Sequence, residues 1–373
     1  MEKETQIGTR TPPAKTPRAL GYRMPAEWEP HSATWLAWPH NPEDWPGKFQ
    51  PIPWLYAEIV RLLAGRERVE LIVEHAAAEQ RVTGMLRRAG ADLGRVRCHR
   101  WPTNRGWTRD SGPIFIRNPQ GELAVTDWRF NGWAKYPDWP LDDELPNRIA
   151  QRLDMPVWQP SIEIPGSTPK SHRLVLEGGS IECNGAGSLL TTEECLLSSV
   201  QQRNPGIARE QLERAFHDYL GIDQVIWLNC GIAGDDTHGH IDDIARFAAP
   251  DIVVAAVEPD TTDPNHAPLA ENLRRLRSAR TPAGRHFTIV ELPMPRPIVF
   301  RNQRVPASYA NFYLANGLVL VPTFHDPNDR VALNILAELF PGRDVIGVHS
   351  VDLIWGLGAL HCMTQQQPAA ITM

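Results

Sequence analysis

Near the carboxyl end of the 373-residue sequence, Cys362 follows the stretch Gly356-Leu357-Gly358-Ala359-Leu360 and precedes Thr364, Gln365 and Gln366. A cysteine after a glycine-containing loop, beside hydroxyl and amide side chains, is placed for access rather than packing. A thiolate is the strongest side-chain nucleophile near neutral pH once a cation or dipole lowers its pKa. Most free cysteines are instead small buried hydrophobes, and Cys98, Cys183, Cys195 and Cys230 read that way.

A second constellation runs Asp235-Asp236-Thr237-His238-Gly239-His240-Ile241-Asp242-Asp243. On an extended segment His240 and Asp242 share a face, because strand side chains alternate with period two. Asp242 could then accept hydrogen bonds from a bound group while His240 moves protons. The same spacing groups His238, His240 and Asp242 as metal-ligand chemistry, so a metallohydrolase is a second reading. A third is an acidic turn carrying solvated histidines.

Two further segments hold candidates. Thr103–Pro113 packs turn residues ahead of an apolar run, with Asp110 as a cation ligand and Trp107 as a stacking face. In Leu176-Glu177-Gly178-Gly179-Ser180, two glycines let the backbone approach a ligand beside Glu177. Three carboxylates, one histidine and one thiol, with no lysine or phosphate loop among them, describe a site for a planar cation. A guanidinium has five N–H donors that carboxylates pair with bidentately. Hydrolysing it requires a strong nucleophile and a proton donor for the leaving nitrogen.

The elements that must position these groups are short. Apolar, β-branched runs at 34–38, 69–73, 114–116, 189–190, 225–228, 252–257, 287–292, 318–321 and 344–348 are bounded by turn residues and read as strands. Helical stripes fall at 52–65, 80–88, 209–220, 269–279 and 330–340. The alternation gives an α/β fold. Strand clusters separated by single helices, repeated about five times, would suit a closed ring of similar modules, although no internal sequence repeat is visible. The segment 325–330 reads as an Asp/Asn/Pro turn capping the last helix.

Composition narrows the class. Apolar content of 42% and charged content of 22% make folding the default. No apolar run is long enough to span a membrane. Residues 1–20 lack an apolar core and read as a flexible arm rather than a signal peptide, leaving 21–373 as a single catalytic domain. Five widely spaced cysteines without a Cys-x-x-Cys pair favour a reducing, cytoplasmic setting over a disulfide framework or structural zinc. A net charge of −6 with no concentration of Lys and Arg excludes nucleic acid and suits a small cationic substrate. Oligomeric state is open, a homo-oligomer included. Most of the thirteen Trp residues are expected in packing, a few as flat faces for a cation.

The residues then become familiar as a set. Met24-Pro-Ala-Glu-Trp-Glu-Pro-His31, Ala37-Trp-Pro-His40, Trp107-Thr-Arg-Asp-Ser-Gly-Pro113, Asp127-Trp-Arg-Phe-Asn-Gly-Trp133, Glu177-Gly-Gly179, Gly239-His-Ile-Asp242 and His361-Cys-Met-Thr-Gln-Gln366 occur in that order. From Gly21 to Pro368 the chain resembles the agmatine deiminase family, related to the bacterial peptidyl-arginine deiminases within the guanidino-modifying enzymes. The resemblance implies a five-bladed α/β propeller of ββαβ modules with a central site. It implies that Cys362 attacks the guanidinium carbon, that His240 protonates departing ammonia, and that His240 then activates water against the thiouronium intermediate. Asp110, Glu177 and Asp242 match the guanidinium-holding carboxylates, and Asp236 sits where some relatives place an acidic residue near substrate. Neither metal nor organic cofactor is expected.

One segment departs from the family. Its members usually carry consecutive glycines before the catalytic cysteine, whereas 356–360 is bulkier here, and Leu and Ala do not freely take positive φ. Backbone dihedrals or room around the substrate should therefore differ. Agmatine, giving N-carbamoylputrescine and ammonia, is the expected substrate. Arginine or peptidyl-arginine is the alternative with the same chemistry.

Overall fold

Strands and helices form where the apolar periodicity places them. All nine apolar runs become strands of a mixed α/β fold, and all five helical stripes become helices, in a computed structural model that describes residues 15–163 and 171–371. Helix Ile52–Ala64 buries Ile52, Tyr56, Ile59, Val60 and Leu63, the spacing of one helical face. Residues 1–14 of the expected arm lie outside the described residues. Arg18–Leu20 form a 3-10 turn, and Arg18 pairs with Asp223 at 2.7 Å.

The strands sort into repeated units. In one, Ile114–Arg117 pairs antiparallel with Leu123–Thr126, which runs parallel to Val157–Trp158 after helix Leu145–Leu153. The pattern recurs with Glu182–Cys183, Ser188–Thr192, helix Arg209–Ala215 and Gln224–Leu228. It recurs again with Ala245–Ala249, Ile252–Val257, helix His266–Ser278 and Thr288–Pro293. A further unit joins Tyr313–Ala315, Leu318–Thr323, helix Asn328–Leu339 and Asp344–His349. A fifth sheet takes its first strand from near the end of the chain. Gln365–Pro368 pairs antiparallel with His31–Ala37, which runs parallel to Arg68–Val73 after helix Ile52–Ala64, and Val96–Arg100 is added outside.

The strand Gln365–Pro368 was not legible as a strand, because three glutamines carry no apolar alternation. Tertiary partners hold it. Trp35 Nε1 donates to Gln367 Oε1 at 3.0 Å and Arg109 Nη1 to Gln366 Oε1 at 2.7 Å. Before Asn328–Leu339 the expected turn forms, with Asp326 Oδ1 accepting the Asn328 N–H at 2.8 Å.

The repeat has a consequence for chemistry. The segment just before the first strand of each unit carries Asp110, Glu177, the pair His240 and Asp242, Asn311, or Cys362. Five equivalent positions, far apart in sequence, thereby deliver their side chains to one place.

Candidate active site

Cys362, Asp110, Glu177, His240 and Asp242 are all buried. The His240 ring lies among the carboxylates, with Nδ1 3.8 Å from Asp110 Oδ1 and 4.0 Å from Asp242 Oδ1, and Nε2 3.7 Å from Glu177 Oε2. Neither ring nitrogen, nor Asp242 Oδ1, has a hydrogen-bond partner. Buried polar atoms are normally satisfied, and Asp242 Oδ1, an acceptor left unpaired here, points to a ligand with N–H donors. Cys362 Sγ lies 3.6 Å from Asp242 Oδ2 and accepts a hydrogen bond from Asn311 Nδ2 at 3.1 Å. Asp110 and Cys362 also line a cavity of about 660 Å³ that reaches the surface past Trp107, Trp133, Leu357 and Asp236.

Local structure fixes each group. Asp110 Oδ1 accepts the Gly179 N–H at 2.9 Å and Oδ2 accepts Trp133 Nε1 at 2.8 Å. Gly179 has to be glycine: a Cβ there would stand 2.6 Å from His240 Nδ1 and 2.7 Å from Asp110 Oδ1. Glu177 is held by Arg203 Nε at 3.0 and 3.3 Å. His240 and Asp242 share the same space as expected, but the backbone differs from the extended segment anticipated. Ile241–Asp243 is a 3-10 turn, because Asp235 gathers the N–H groups of Thr237, Gly239 and His240 and curls the loop.

Charge in this pocket is far from its solution state. Burial pushes the Cys362 thiol well up, and Asp242, Asp243 and Asp110 add to it. Burial likewise raises Asp110 to about 6, His240 opposing and Asp242 and Glu177 reinforcing. Glu177 resists its burial because of Arg203 and His240 and falls to about 2. Burial lowers the His240 pKa, but Asp110, Cys195 and Glu177 outweigh it and leave the imidazole well above its usual range. The arrangement can hold a planar cation over a thiol, with a charged imidazole beside it to give up a proton.

Other expectations fare differently. His238 does not join His240 and Asp242: its Nε2 meets Ser198 Oγ at 3.2 Å and its Nδ1 lies 3.9 Å from Glu194. A positive φ of 64° at His238 sends that side chain away. Among the described residues, the group with metal-ligand spacing is Glu177, Cys195 and His240, a different set from the one expected. Trp107 packs on Trp45, ring centres 5.3 Å apart, and lines the cavity. Asp236 stands nearer the mouth, paired with Lys135. In the bulky loop, Gly356 and Gly358 keep the tight places, since a Cβ would reach 2.5 Å from Trp45 and 2.8 Å from Trp107 respectively. Leu357 nevertheless adopts φ 65°, the conformation it was expected to avoid.

Three contributors escaped the sequence reading. Asn311 donates to the Cys362 sulfur, and its Oδ1 accepts the His361 N–H at 2.9 Å. His361 sets Nδ1 2.7 Å from Asp242 Oδ2 and Nε2 2.8 Å from Glu27 Oε2. Glu27 also takes Arg109 Nη2 at 3.1 Å and Arg246 Nη2 at 3.0 Å, buried behind the site. Glu27 and His361 lie in motifs already singled out, whereas nothing marked Asn311.

A buried thiol, an imidazole and three carboxylates around one small space define a thiol hydrolase site suited to guanidinium-like cations. The chain belongs to the Porphyromonas-type peptidyl-arginine deiminase family, whose sequence pattern matches residues 23–368. It is 37% identical to the agmatine deiminase of Stutzerimonas stutzeri, over 95% of this chain and 97% of that one. With the agmatine deiminase of Pseudomonas aeruginosa it shares 35% identity, over 96% and 98%. Its structure is similar to that of the Enterococcus faecalis enzyme, described as agmatine deiminase catalysing its reaction, with a TM-score of 0.88 at 29% identity, covering 97% of this chain and 100% of that one. A C. jejuni agmatine deiminase with a cysteine-to-serine change and substrate bound gives a TM-score of 0.80 at 28% identity, over 93% and 96%.

Proposed function

We propose that this protein hydrolyses agmatine to N-carbamoylputrescine and ammonia through a thiouronium intermediate on Cys362. The observation that carries the reading is the convergence of Cys362, Asp110, Glu177, His240 and Asp242 on one buried place, with Asp242 Oδ1 left unpaired and with Asp110 and Cys362 opening onto the cavity. The guanidinium sits among Asp110, Asp242 and Glu177, and Trp107 offers it a face. Its positive charge offsets the carboxylates that hold the thiol protonated, so on binding the thiol proton passes to water in the cavity and the thiolate attacks the guanidinium carbon. His240, charged in the free site, protonates the departing ammonia. As a neutral base it then takes a proton from water, which attacks the thiouronium carbon and expels the Cys362 thiolate. Asn311 Nδ2 steadies the sulfur throughout.

The distal ammonium of agmatine falls toward Asp236. The cavity lining carries Glu43, Asp44, Asp138 and Asp236 against Arg105 and Lys135, an acidic excess that favours agmatine over arginine with its added carboxylate. The repeated units support a five-bladed ring around this site, residues 21–373 acting as one catalytic domain. No resident metal or organic cofactor enters the scheme, and neither nucleic acid nor membrane is a partner. Five free cysteines suit the cytoplasm.

The test is ammonia and N-carbamoylputrescine release from agmatine, and ammonia release from arginine, by the native protein and Cys362→Ala. Native turnover of agmatine above arginine, and none by Cys362→Ala, is expected. Retained turnover by Cys362→Ala would overturn the thiol mechanism, and faster arginine turnover the substrate.

A further inference from the structure

The carboxylate near the cavity mouth is already held by a cation of the chain itself. Lys135 Nζ pairs with Asp236 Oδ1, and the Tyr136 hydroxyl donates to Asp236 Oδ2 at 2.7 Å. All three residues line the cavity that reaches Cys362 and Asp110.

The backbone behind this pair is unusual. Gly132, Trp133 and Ala134 have φ of 64°, 57° and 54° in succession. Non-glycine residues take such values only where their surroundings hold them there. One end of the turn is pinned by Trp133 Nε1 on Asp110 Oδ2 at 2.8 Å, the other by Lys135 and Tyr136 on Asp236. Gln201 Nε2 bridges the two, donating to the Trp133 carbonyl at 3.2 Å and the Asp236 carbonyl at 3.1 Å. A single strained turn thus links the guanidinium-facing carboxylate to the outer one.

We propose that Lys135 is a specificity-determining residue whose ammonium occupies, in the free enzyme, the place on Asp236 that the substrate's distal ammonium takes. The proposal rests on the agmatine reading above. A linear guanidine without a distal cation enters without disturbing Lys135. One with a distal ammonium exchanges places with it, and the lysine side chain, 41% exposed, turns into solvent. Arg105, the other cation in the lining, is committed to Asp44 and Asp138. Lys135 therefore keeps Asp236 neutralised when the pocket is empty and raises KM for agmatine.

Steady-state kinetics on agmatine and on n-butylguanidine, which has the same carbon chain without the amine, test this for wild type, Lys135→Met, Asp236→Asn and the double variant. Exposed ion pairs are weak, so Lys135→Met should lower KM for agmatine by about three- to fivefold and raise the agmatine-to-butylguanidine ratio of kcat/KM by a similar factor. Asp236→Asn should lower that ratio, and adding Lys135→Met to it should leave the ratio where Asp236→Asn put it. An unchanged or lowered ratio in Lys135→Met overturns the proposal, because a lysine that merely supports the turn would affect both substrates alike. Wild-type enzyme that turns over butylguanidine but not agmatine overturns the agmatine reading instead, and this inference with it.

Discussion

At the scale of residues, two neighbouring carboxylates respond to the same burial in opposite ways. Glu177 has Arg203 as a fixed partner and is held at about 2, while Asp110 has only neutral donors and is pushed up to about 6. For Glu177, held in the fold below its ordinary value of 4.5, the stabilisation is present above pH 4.5 and lost as pH falls toward 2. For Asp110 the sign reverses: the contribution from the protonated form is fully present below the ordinary value of 3.8 and disappears as pH rises through about 6. The charged Asp110 needed to hold a guanidinium is thus maintained against the fold's preference, by about 3 kcal/mol at neutral pH. The expected consequence is an acidic limb in kcat/KM, which reports the free enzyme, with a midpoint near 6. A pH–rate profile flat from 7 down to 5 would remove Asp110 from that role. The same burial explains why Cys362 could be nominated from its neighbours in sequence while its protonation could not. Asp242 and Asp243 act on it from more than a hundred residues away.

At the scale of elements, the loop before Cys362 stores strain at Leu357. Leu357 at φ 65° and ψ 20° is in the left-handed region, and its side chain lines the cavity. A β-branched residue is much less tolerant of that conformation. Leu357→Val is expected to lower stability by about 2 kcal/mol, whereas Leu357→Gly, relieving strain but losing a partly buried side chain, should change it by less than about 1 kcal/mol. Urea unfolding of both variants decides this; equal losses would mean that side-chain packing, not the dihedral, governs the position. The five helical stripes and nine apolar runs were legible because each repeats its own period, whereas helix Leu145–Leu153 and the short strands Leu123–Thr126 and Ala245–Ala249 were not. The polar edge strand Gln365–Pro368 was not, since its glutamines are satisfied by Trp35 and Arg109 rather than by any local pattern.

Across the whole molecule, the last segment supplies both Cys362, the proposed nucleophile, and the first strand of the sheet that contains His31–Ala37. Behind the site, Glu27 ties these pieces together, meeting Arg109, Arg246, His361 and the Leu314 N–H, which belong to four different segments. Removing one partner of a buried ionic cluster leaves the others uncompensated, at about 3–5 kcal/mol. Glu27→Gln should therefore cost about that much in urea unfolding, and reduce activity by loosening His361 against Asp242. A loss below about 1 kcal/mol would show that the cluster is dispensable.

Sequence alone determined nine strands and five helices, through their apolar periods, and nominated most of the candidate site, because a thiol, an imidazole and carboxylates beside glycines are chemically conspicuous. The tertiary structure decided which of them meet. It turned His238 away through a left-handed backbone, brought in Asn311 from a segment with no chemical signature, and set Lys135 on Asp236 across the cavity mouth. Those outcomes depend on long-range packing of the repeated units, whose pairing no local stretch of the chain encodes.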